Sequence, residues 1–293
     1  MKRLLIYFFY DKHGVVDRYV RHTLASVRPF CDEMLVVSNG EVNSDGHQLF
    51  SQIANNVIIR KNTGFDVWAY KTALDSYGWN KLNEYEEIVL MNYTIMGPVY
   101  DLQPMFEQMD KRKALDFWGI TKCFEERSPE AQKLWNCPYG YAPEHIQSSF
   151  TAFRRSIFSS EIFRNIWDNM PMITSYYESG GCYEQYITKY YADKGFRWDC
   201  YTNYDDLDPK FFGCCPLITM PLEIVGRKKS PFFKRRSFFT SRLEFPSPLP
   251  NCTEFVEYLK TDTTFDVELL YENLVRTVNQ RDLINTLSLY FFV

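Results

Sequence analysis

Residues 4–10 read Leu-Leu-Ile-Tyr-Phe-Phe-Tyr, an unbroken apolar run near the start of the chain. Such a run is typical of a strand that is buried on both faces of a parallel sheet. It is too short to span a membrane. Because no small-residue cleavage site follows it, we expect a first strand here and not a signal peptide.

Strand and helix patterns alternate after this first run. Strands are predicted at residues 33–38, 56–60 and 87–91, and helices at residues 15–27 and 65–77. This alternation predicts an α/β fold with a Rossmann-type, mostly parallel sheet and helices on both faces. Ligands of such sheets bind beyond the carboxyl ends of the strands, so the loops that follow these strands are the expected site.

The second half of the chain is less regular. The patterns predict strands at residues 116–121 and 145–153, a long loop over 123–143, and helices at residues 160–170, 183–194 and 266–289. We predict one α/β domain over residues 1–225. Residues 226–293 are expected to form a basic loop and a helical extension packed on the same domain.

Composition excludes some classes of function. The net charge of the 293-residue chain is -4, which argues against nucleic-acid binding. Its eight cysteines include no C-x-x-C pair, so no zinc site is predicted. Aromatic residues make up 17% of the chain; their rings suit sugar faces, but most are expected to fill the core. A cytoplasmic protein is expected.

Four stretches carry a family resemblance. They are Arg-Lys-Asn-Thr-Gly-Phe-Asp at residues 60–66, Leu-Met-Asn-Tyr-Thr-Ile-Met-Gly-Pro at 90–98, Asp-Phe-Trp-Gly-Ile-Thr at 116–121, and His-Ile-Gln-Ser-Ser-Phe at 145–150. In this order they resemble the rhamnan synthesis protein F family of bacterial glycosyltransferases. The resemblance implies a GT-A-like fold and a role in building a rhamnose-containing cell-wall or cell-surface polysaccharide.

The resemblance also implies partners and a place in the cell. The donor would be a nucleotide sugar, with TDP-rhamnose expected, and the acceptor a lipid-linked or polymeric glycan. The enzyme would lie in the cytoplasm, peripheral to the inner face of the membrane. Formation of an α-rhamnosyl product from a β-linked donor would make the reaction inverting.

Donor binding is assigned to residues at the predicted strand ends and the loop after the third strand. An arginine can pair with a phosphate in a bidentate manner, and a glycine permits close approach of the backbone. Asn-Gly after the second strand is also an ordinary turn, and Asp66 can simply cap the next helix. The predicted donor-binding residues are Asn39, Arg60, Asn62, Gly64, Asp66 and Asn92.

One departure from the family pattern concerns a metal. Many family members resemble Asn-Asp-Ser where this chain has Asn92-Tyr93-Thr94. In GT-A enzymes an acidic motif here holds Mn²⁺ or Mg²⁺ on the donor diphosphate. A tyrosine does not replace that carboxylate, so the metal ligands are unknown. Asp101 is a nearby carboxylate, but a structural turn is the stronger interpretation.

Glu184 is the predicted catalytic base. It follows Gly180-Gly181 at the start of a predicted helix, and an inverting transferase needs one base for the acceptor hydroxyl. Acidic residues at helix starts are also common for stability alone, so catalysis and capping are equally weighted. Glu178 is the reserve candidate, and Asp205 or Asp206 is the third.

Three further residues are assigned to the acceptor or sugar. Trp118 is predicted to stack on a sugar, although a tryptophan in a strand is more often in the core. His145 and Gln147 lie in the last quoted stretch. A single histidine is usually structural. Because the resemblance includes His145, a binding role and a structural role are weighed equally for this residue.

Residues 227–236 form the densest basic cluster, and they include Lys234, Arg235 and Arg236. Three interpretations stay open. The cluster clamps the donor diphosphate in place of a metal, binds the anionic inner face of the membrane, or is a solvated loop. The mixture of phenylalanine with basic residues favours the membrane.

Two functions compete with a rhamnosyltransferase. One is a non-catalytic relative that binds a nucleotide sugar or glycan within a polysaccharide-assembly complex. This alternative stays open because Tyr93 replaces the acidic residue of the family pattern. The other is an enzyme of the same fold with a different donor, such as a hexose or galactofuranose. The fold alone does not choose between them.

Overall fold

A computed structural model describes residues 1–208, 214–239 and 252–279 of the chain. These residues divide into two compact units. The first contains residues 1–16, 27–93 and 105–201, and the second contains residues 17–26 and 94–104 and the described residues from 202 onward. The boundary predicted between residues 225 and 226 stays a prediction.

The described strands in chain order are β1 Arg3–Phe9, β2 Glu33–Asn39, β3 Asn56–Arg60, β4 Glu87–Asn92, β5 Ile95–Met96, β6 Phe117–Gly119, β7 Lys122–Cys123, β8 His145–Ile146, β9 Phe150–Arg154, β10 Trp198–Cys200 and β11 Phe233–Lys234. The central sheet has seven strands in the order β10-β6-β9-β4-β1-β2-β3. Strand β9 is antiparallel to its neighbours β4 and β6, and the other neighbouring pairs are parallel. The predicted mostly parallel α/β sheet is confirmed.

The described α-helices are α1 Arg18–Val27, α2 Ser44–Ile53, α3 Phe65–Leu82, α4 Gln103–Lys111, α5 Pro129–Trp135, α6 Arg155–Phe158, α7 Glu161–Asp168, α8 Tyr176–Ser179, α9 Gln185–Asp193, α10 Pro216–Thr219, α11 Cys252–Asp262 and α12 Glu268–Thr277. Wider π-helical turns cover Gly180–Glu184 and Leu222–Arg227. Single 3₁₀ turns cover Arg28–Phe30 and Arg235–Phe238.

Helices of the first unit cover both faces of the central sheet. Every residue of β1 is buried, as a strand covered on two sides requires. On one face, α3, α7 and α9 bury Tyr70, Trp167 and Tyr191 against the strands. On the other face, α2 packs Phe50 against Phe9 of β1. The largest fully buried side chains are all aromatic, which agrees with the expectation that most rings fill the core.

Several predicted elements differ from the observed ones. The predicted loop 123–143 contains the short helix α5, because Ser128 caps it and accepts a hydrogen bond from the Ala131 amide. The predicted strand 145–153 is two strands, β8 and β9, separated by a turn. The predicted helix 160–170 is α7, with Ser160 as its cap. The predicted helix over 266–289 is described as α12, and its part beyond residue 279 lies outside the described residues.

The second unit has its own aromatic core. Phe233 of β11 packs edge-on against Phe255 of α11 and against Phe265. A small antiparallel pair, β5 with β11, also lies in this unit. Within the described ranges, no helix has the length and apolar character needed to cross a bilayer.

Candidate active site

Three polar residues end neighbouring strands of the central sheet. Asn39, Arg60 and Asn92 are the last residues of β2, β3 and β4. Asn39 is paired in register with Arg60, and Asn92 with Phe8 of β1. These side chains therefore share the carboxyl edge of the sheet, where ligands of open α/β sheets bind.

Arg60 organises the loop between β3 and α3. Its Nη1 donates to Asn39 Oδ1 at 2.6 Å and to the Thr63 carbonyl at 2.9 Å. Asn39 Nδ2 in turn donates to the Phe65 carbonyl at 3.0 Å. Arg60 and Asn39, both predicted to bind the sugar donor, therefore belong to one hydrogen-bond network. Asn62 is exposed on the loop between β3 and α3.

The backbone is unusual where this loop enters α3. Gly64 and Phe65 both have positive φ, at 73° and 54°, a region that phenylalanine rarely occupies. A Cβ at Gly64 would lie 2.4 Å from Trp68, so only glycine fits. Phe65 is 36% exposed. Strain of this kind is concentrated at functional sites, and sequence reasoning had no pattern that could reveal it.

Asp66 lies at the first turn of α3 and bonds to three segments. Its Oδ1 accepts from Ser179 Oγ at 3.1 Å and from the Val67 amide at 3.0 Å. Its Oδ2 accepts from Asn92 Nδ2 at 3.3 Å. Asp66 therefore bonds to one amide of its own first turn, and it also joins the end of β4 to α8.

Glu184 is held by a segment distant in sequence. Its Oε2 accepts from the Ser148 amide at 2.8 Å and from Ser148 Oγ at 2.5 Å. Within the described residues, the Glu184 side chain makes no capping hydrogen bond to α9. Helix capping therefore does not account for this carboxylate. Ser148 lies in one of the quoted stretches and was not singled out from sequence.

The antiparallel strand β9 explains how Ser148 reaches this edge. Since β9 runs against β4, the turn that precedes it lies at the carboxyl end of β4. The Asn92 amide donates to the Ser149 carbonyl there at 3.1 Å. The turn that holds Glu184 is thereby fixed beside Asn92.

His145 is buried near the same carboxylate. Its Nδ1 lies 2.6 Å from the Pro143 carbonyl, and because a carbonyl only accepts, Nδ1 carries the proton. Burial lowers the pKa of His145, and the nearby charge of Glu184 opposes that effect. Burial therefore favours the neutral form of this ring.

Asp66 and Glu184 interact electrostatically. Burial raises the pKa of Asp66, and the negative charge of Glu184 raises it further. Tyr183 responds to both carboxylates, since burial and then the charges of Asp66 and Glu184 raise its pKa. Perturbed acids of this kind are enriched at functional sites.

A π-helical turn places Glu184. It covers Gly180–Glu184 and follows directly on α8, which ends at Ser179. Such turns occur often at functional sites. Ser179 binds Asp66 at one end of the turn and Glu184 lies at the other, so the turn links the two carboxylates. Ser179 was missed from sequence, although its place before a Gly-Gly pair was visible.

Three other sequence candidates are engaged in contacts within the fold. Trp118 is fully buried, and its Nε1 donates to Glu87 Oε2 at 2.8 Å, so it presents no surface to a sugar. Gln147 is buried and accepts from Thr121 Oγ1 at 2.7 Å. Glu178 accepts from the amide and hydroxyl of Thr174 in its own turn. These contacts are structural.

The remaining acidic candidates belong to the second unit or its edge. Asp206 binds Lys228 Nζ at 2.6 Å. Asp205 and Asn203 hydrogen-bond to each other in one turn. Asp101 accepts from the Gln103 amide at 3.0 Å, the turn role expected for it.

The basic stretch lies in the second unit, and several of its side chains are hydrogen-bonded within that unit. Lys234 Nζ donates to Thr94 Oγ1 at 3.0 Å, and Arg235 Nη1 to Asn273 Oδ1 at 2.7 Å. Arg236 is half-buried. Phe232 and Phe233 are buried, so their rings are not available to a membrane surface, and membrane binding by the basic side chains stays a prediction. The two phenylalanine rings pack inside the unit instead.

The residues at the expected metal position do not fit a hard cation. The Tyr93 ring packs edge-on against Phe8 and Phe9, with centroids 5.6 and 5.8 Å apart. In the described part of the chain, no three His, Cys, Asp or Glu residues are grouped so that they could hold a metal. No catalytic step is therefore assigned to a metal.

Comparison with protein families gives one match. The profile described as rhamnan synthesis protein F matches residues 34–290, which is most of the chain. No curated protein matches the sequence significantly.

Solved structures show weak likenesses. A mannosyltransferase from Pyrobaculum calidifontis, in complex with GDP-Man and Mn²⁺, is 12% identical with a TM-score of 0.41, over 68% of this chain and 54% of that one. Core-mannan synthase A from Aspergillus fumigatus, in an Mn/GDP form, is 9% identical with a TM-score of 0.37, over 68% and 70%.

A cytidylyltransferase from Leptospira borgpetersenii is 11% identical with a TM-score of 0.37, over 69% of this chain and 75% of that one. This chain spans only about half the length of the mannosyltransferase. Likenesses at these scores do not bear on activity or donor, and their differing activities illustrate why.

Proposed function

The chain belongs to the rhamnan synthesis protein F family, and from that membership we propose that it is an inverting glycosyltransferase. It transfers rhamnose from a nucleotide sugar, TDP-rhamnose, to a growing bacterial cell-surface polysaccharide. The proposed acceptor is a lipid-linked or polymeric glycan at the inner face of the cytoplasmic membrane.

One observation carries the proposal: two carboxylates from distant parts of the chain meet at the carboxyl edge of the sheet. Asp66 and Asn92 are hydrogen-bonded to each other, and Glu184 is fixed by Ser148 of the turn beside Asn92. An inverting transferase requires a positioned base next to a donor site. Glu184 and the strand-end network supply these two parts.

The proposed chemistry uses Glu184 as the base. The acceptor hydroxyl gives its proton to a Glu184 carboxylate oxygen as its own oxygen bonds to the anomeric carbon. The bond from that carbon to the diphosphate breaks, and the nucleoside diphosphate leaves with the bonding electrons. The hydrogen bonds from Ser148 hold Glu184 in position.

Donor binding is assigned to the network at the ends of β2, β3 and β4. Arg60 is partly buried and burial lowers its pKa, but a guanidinium stays protonated and can pair with a phosphate. Asn39 is hydrogen-bonded to Arg60, and Asn62 is exposed on the loop that follows. Asp66 and Asn92 can accept and donate hydrogen bonds to ribose or sugar hydroxyls.

Calorimetric titration with TDP-rhamnose, TDP and UDP-sugars, with and without Mn²⁺, tests this assignment. We expect selective binding of TDP-rhamnose, weakened about tenfold or more by Arg60→Ala because a charge-assisted hydrogen bond to phosphate is lost. The control is Arg127→Ala, since Arg127 is an exposed arginine paired with Glu125.

Each other outcome changes the proposal in a defined way. Binding of a different nucleotide sugar keeps the enzyme but replaces the donor. Binding that requires Mn²⁺ overturns the interpretation of Tyr93. Donor binding without any transfer or hydrolysis favours the non-catalytic relative, and equal affinity of Arg60→Ala moves the phosphate site elsewhere.

For the basic stretch, diphosphate binding and attachment to anionic membrane lipid both remain proposals. Sedimentation with phosphatidylglycerol vesicles that decreases as salt increases supports the membrane role. A loss of TDP affinity in Arg236→Ala supports the diphosphate role. Absence of both effects leaves the stretch as part of the packing of the second unit.

A further inference from the structure

Three aromatic side chains form a cluster on the surface of the first unit, which we call the aromatic platform: Trp135, Tyr176 and Tyr177. The Trp135 ring lies 5.6 Å from the Tyr176 ring and 5.3 Å from the Tyr177 ring, measured between centroids. The two tyrosine rings are 5.6 Å apart. Each ring thus contacts both others.

The platform is exposed in spite of this packing. Tyr176 is 47% exposed and Tyr177 is 40% exposed, and Trp135 is half-buried. Rings of this size usually supply buried area in a core. Three that are held together at the surface, with interplanar angles of 58°, 71° and 69°, form an apolar patch in which each ring presents its own face or edge.

The platform is built onto the turn that carries Glu184. A Cβ at Gly181 would lie 1.8 Å from the Trp135 carbonyl oxygen, and one at Gly180 would lie 2.3 Å from Cζ3 of the Trp135 ring. The Gly-Gly pair is therefore required for Trp135 to approach this turn. Because Ser179 immediately before it binds Asp66, the platform and the carboxylates share one short segment.

Charge favours a neutral ligand over a membrane surface. The charged residues of α5 and α8 are Glu130, Lys133 and Glu178, which give no positive excess. Attachment to anionic lipid would require basic residues around the apolar face. A sugar needs none, since its apolar C–H face stacks on a ring and its hydroxyls bond to the tyrosine edges.

We propose that the aromatic platform is the subsite that holds the acceptor glycan, with 6-deoxyhexose units packed against the exposed parts of the Trp135, Tyr176 and Tyr177 rings. This inference rests on the proposed function, since it places the acceptor beside the base Glu184. The methyl group of a 6-deoxyhexose adds apolar area to the stacked face. The chain bound there presents its growing end to the carboxylates.

Saturation-transfer NMR with a short rhamnose oligosaccharide, without donor, tests the subsite directly. Tyr176→Ala combined with Tyr177→Ala should weaken oligosaccharide binding by about tenfold or more, since two stacking contacts are lost. The paired Tyr→Phe variant keeps the rings and should retain most of the affinity. TDP-rhamnose affinity should stay unchanged in both variants.

The matched control is Tyr186→Ala, because Tyr186 is a half-buried tyrosine that packs on Tyr139 and Tyr190. Its oligosaccharide affinity should equal that of the wild type. Circular dichroism verifies that each variant is folded.

The outcomes separate the two proposals. Equal oligosaccharide affinity in the wild type and the double Tyr→Ala variant overturns the subsite, as does an equal loss in Tyr186→Ala. No oligosaccharide binding by a wild-type protein that binds TDP-rhamnose also overturns it. Failure of the wild type to bind any nucleotide sugar overturns the proposed function, while oligosaccharide binding still decides the subsite.

Discussion

Two regions of the first unit contain carboxylates in buried surroundings. In one region the neighbouring charges are positive, and in the other the neighbouring charge is negative. Glu87 at the start of β4 is fully buried, and its Oε1 accepts from Arg3 Nε at 2.6 Å. Its Oε2 accepts from Trp118 and lies 3.5 Å from Arg154 Nε. At the opposite end of β4, Asp66 has another carboxylate, Glu184, as a charged neighbour.

The difference indicates what each region is for. A buried charge that is paired with two guanidinium groups is compensated within the fold, and it fixes strand positions. A carboxylate whose pKa is raised by burial and by a second carboxylate is maintained at a cost in stability. Such a cost is typical of a site shaped for a ligand or for proton transfer.

The largest effect is expected at Glu184. Glu184→Gln should lower the rate of sugar transfer by about 10³-fold, since general-base catalysis is lost, while TDP-rhamnose affinity stays within a factor of about two. Transfer kinetics and calorimetry measure the two quantities.

Glu178→Gln is the control for Glu184→Gln, since Glu178 is an exposed carboxylate of the same segment and its bonds stay within its own turn. It should leave transfer nearly unchanged. If Glu184→Gln retained wild-type turnover, Glu184 would be a structural carboxylate like Glu87.

The next effect is on stability at Glu87. Glu87→Gln should lower the free energy of unfolding by about 3 kcal/mol, because Arg3 and Arg154 lose a buried counter-charge, while Arg3 keeps its ion pair with Asp110. Guanidinium-induced unfolding measures this loss. Glu84→Gln is the control, because the exposed Glu84 forms only a surface ion pair with Lys2, worth at most about 1 kcal/mol. Equal losses of unfolding free energy in Glu87→Gln and Glu84→Gln would mean that the buried ion pairs of Glu87 stabilise the fold no more than a surface ion pair does.

The smallest effect is expected at Asp66, with the opposite sign. Wild-type Asp66 binds its proton more tightly folded than unfolded, because its pKa is raised from the ordinary value of 3.8. Wild-type stability relative to Asp66→Asn should therefore decrease as pH rises from that value through the raised pKa. At neutral pH the variant should be as stable as the wild type or more stable, by up to about 1 kcal/mol.

Urea unfolding of the wild type and Asp66→Asn across this pH range measures the difference. Asp75→Asn is the control, since Asp75 is an exposed residue of the same helix paired with Lys71. A loss of more than about 2 kcal/mol in Asp66→Asn at neutral pH would make Asp66 a structural residue.

Sequence patterns predicted the parallel strands well and the site only in part. The apolar runs of β1, β2 and β4 have clear ends, because each strand is buried on both faces and polar residues bound its apolar run. The position of the loop between β3 and α3, which is predicted to bind the donor, followed from those strand ends. Ser179 and Phe65 did not follow, since a hydroxyl that reaches another segment and a positive φ leave no periodic pattern.

The glutamate at the end of a Gly-Gly turn shows where sequence reasoning stopped. From sequence, Glu184 was equally a cap and a base. The bonds from Ser148 separate these roles, and they depend on β9 running antiparallel to β4. An antiparallel partner has the same apolar composition as a parallel one, so its direction was not visible in the chain.

The sequence by itself determined the α/β class, the carboxyl-edge position of Asn39, Arg60 and Asn92, and a resemblance that the family match confirms. These depend on local hydrophobic patterns and on residue identity, both of which the chain carries directly. Only the tertiary structure decided that Trp118 is core, that Asp66 and Glu184 interact, and that Trp135, Tyr176 and Tyr177 meet at the surface. Those facts depend on contacts between residues far apart in sequence, and such contacts exist only when the packed chain brings them together.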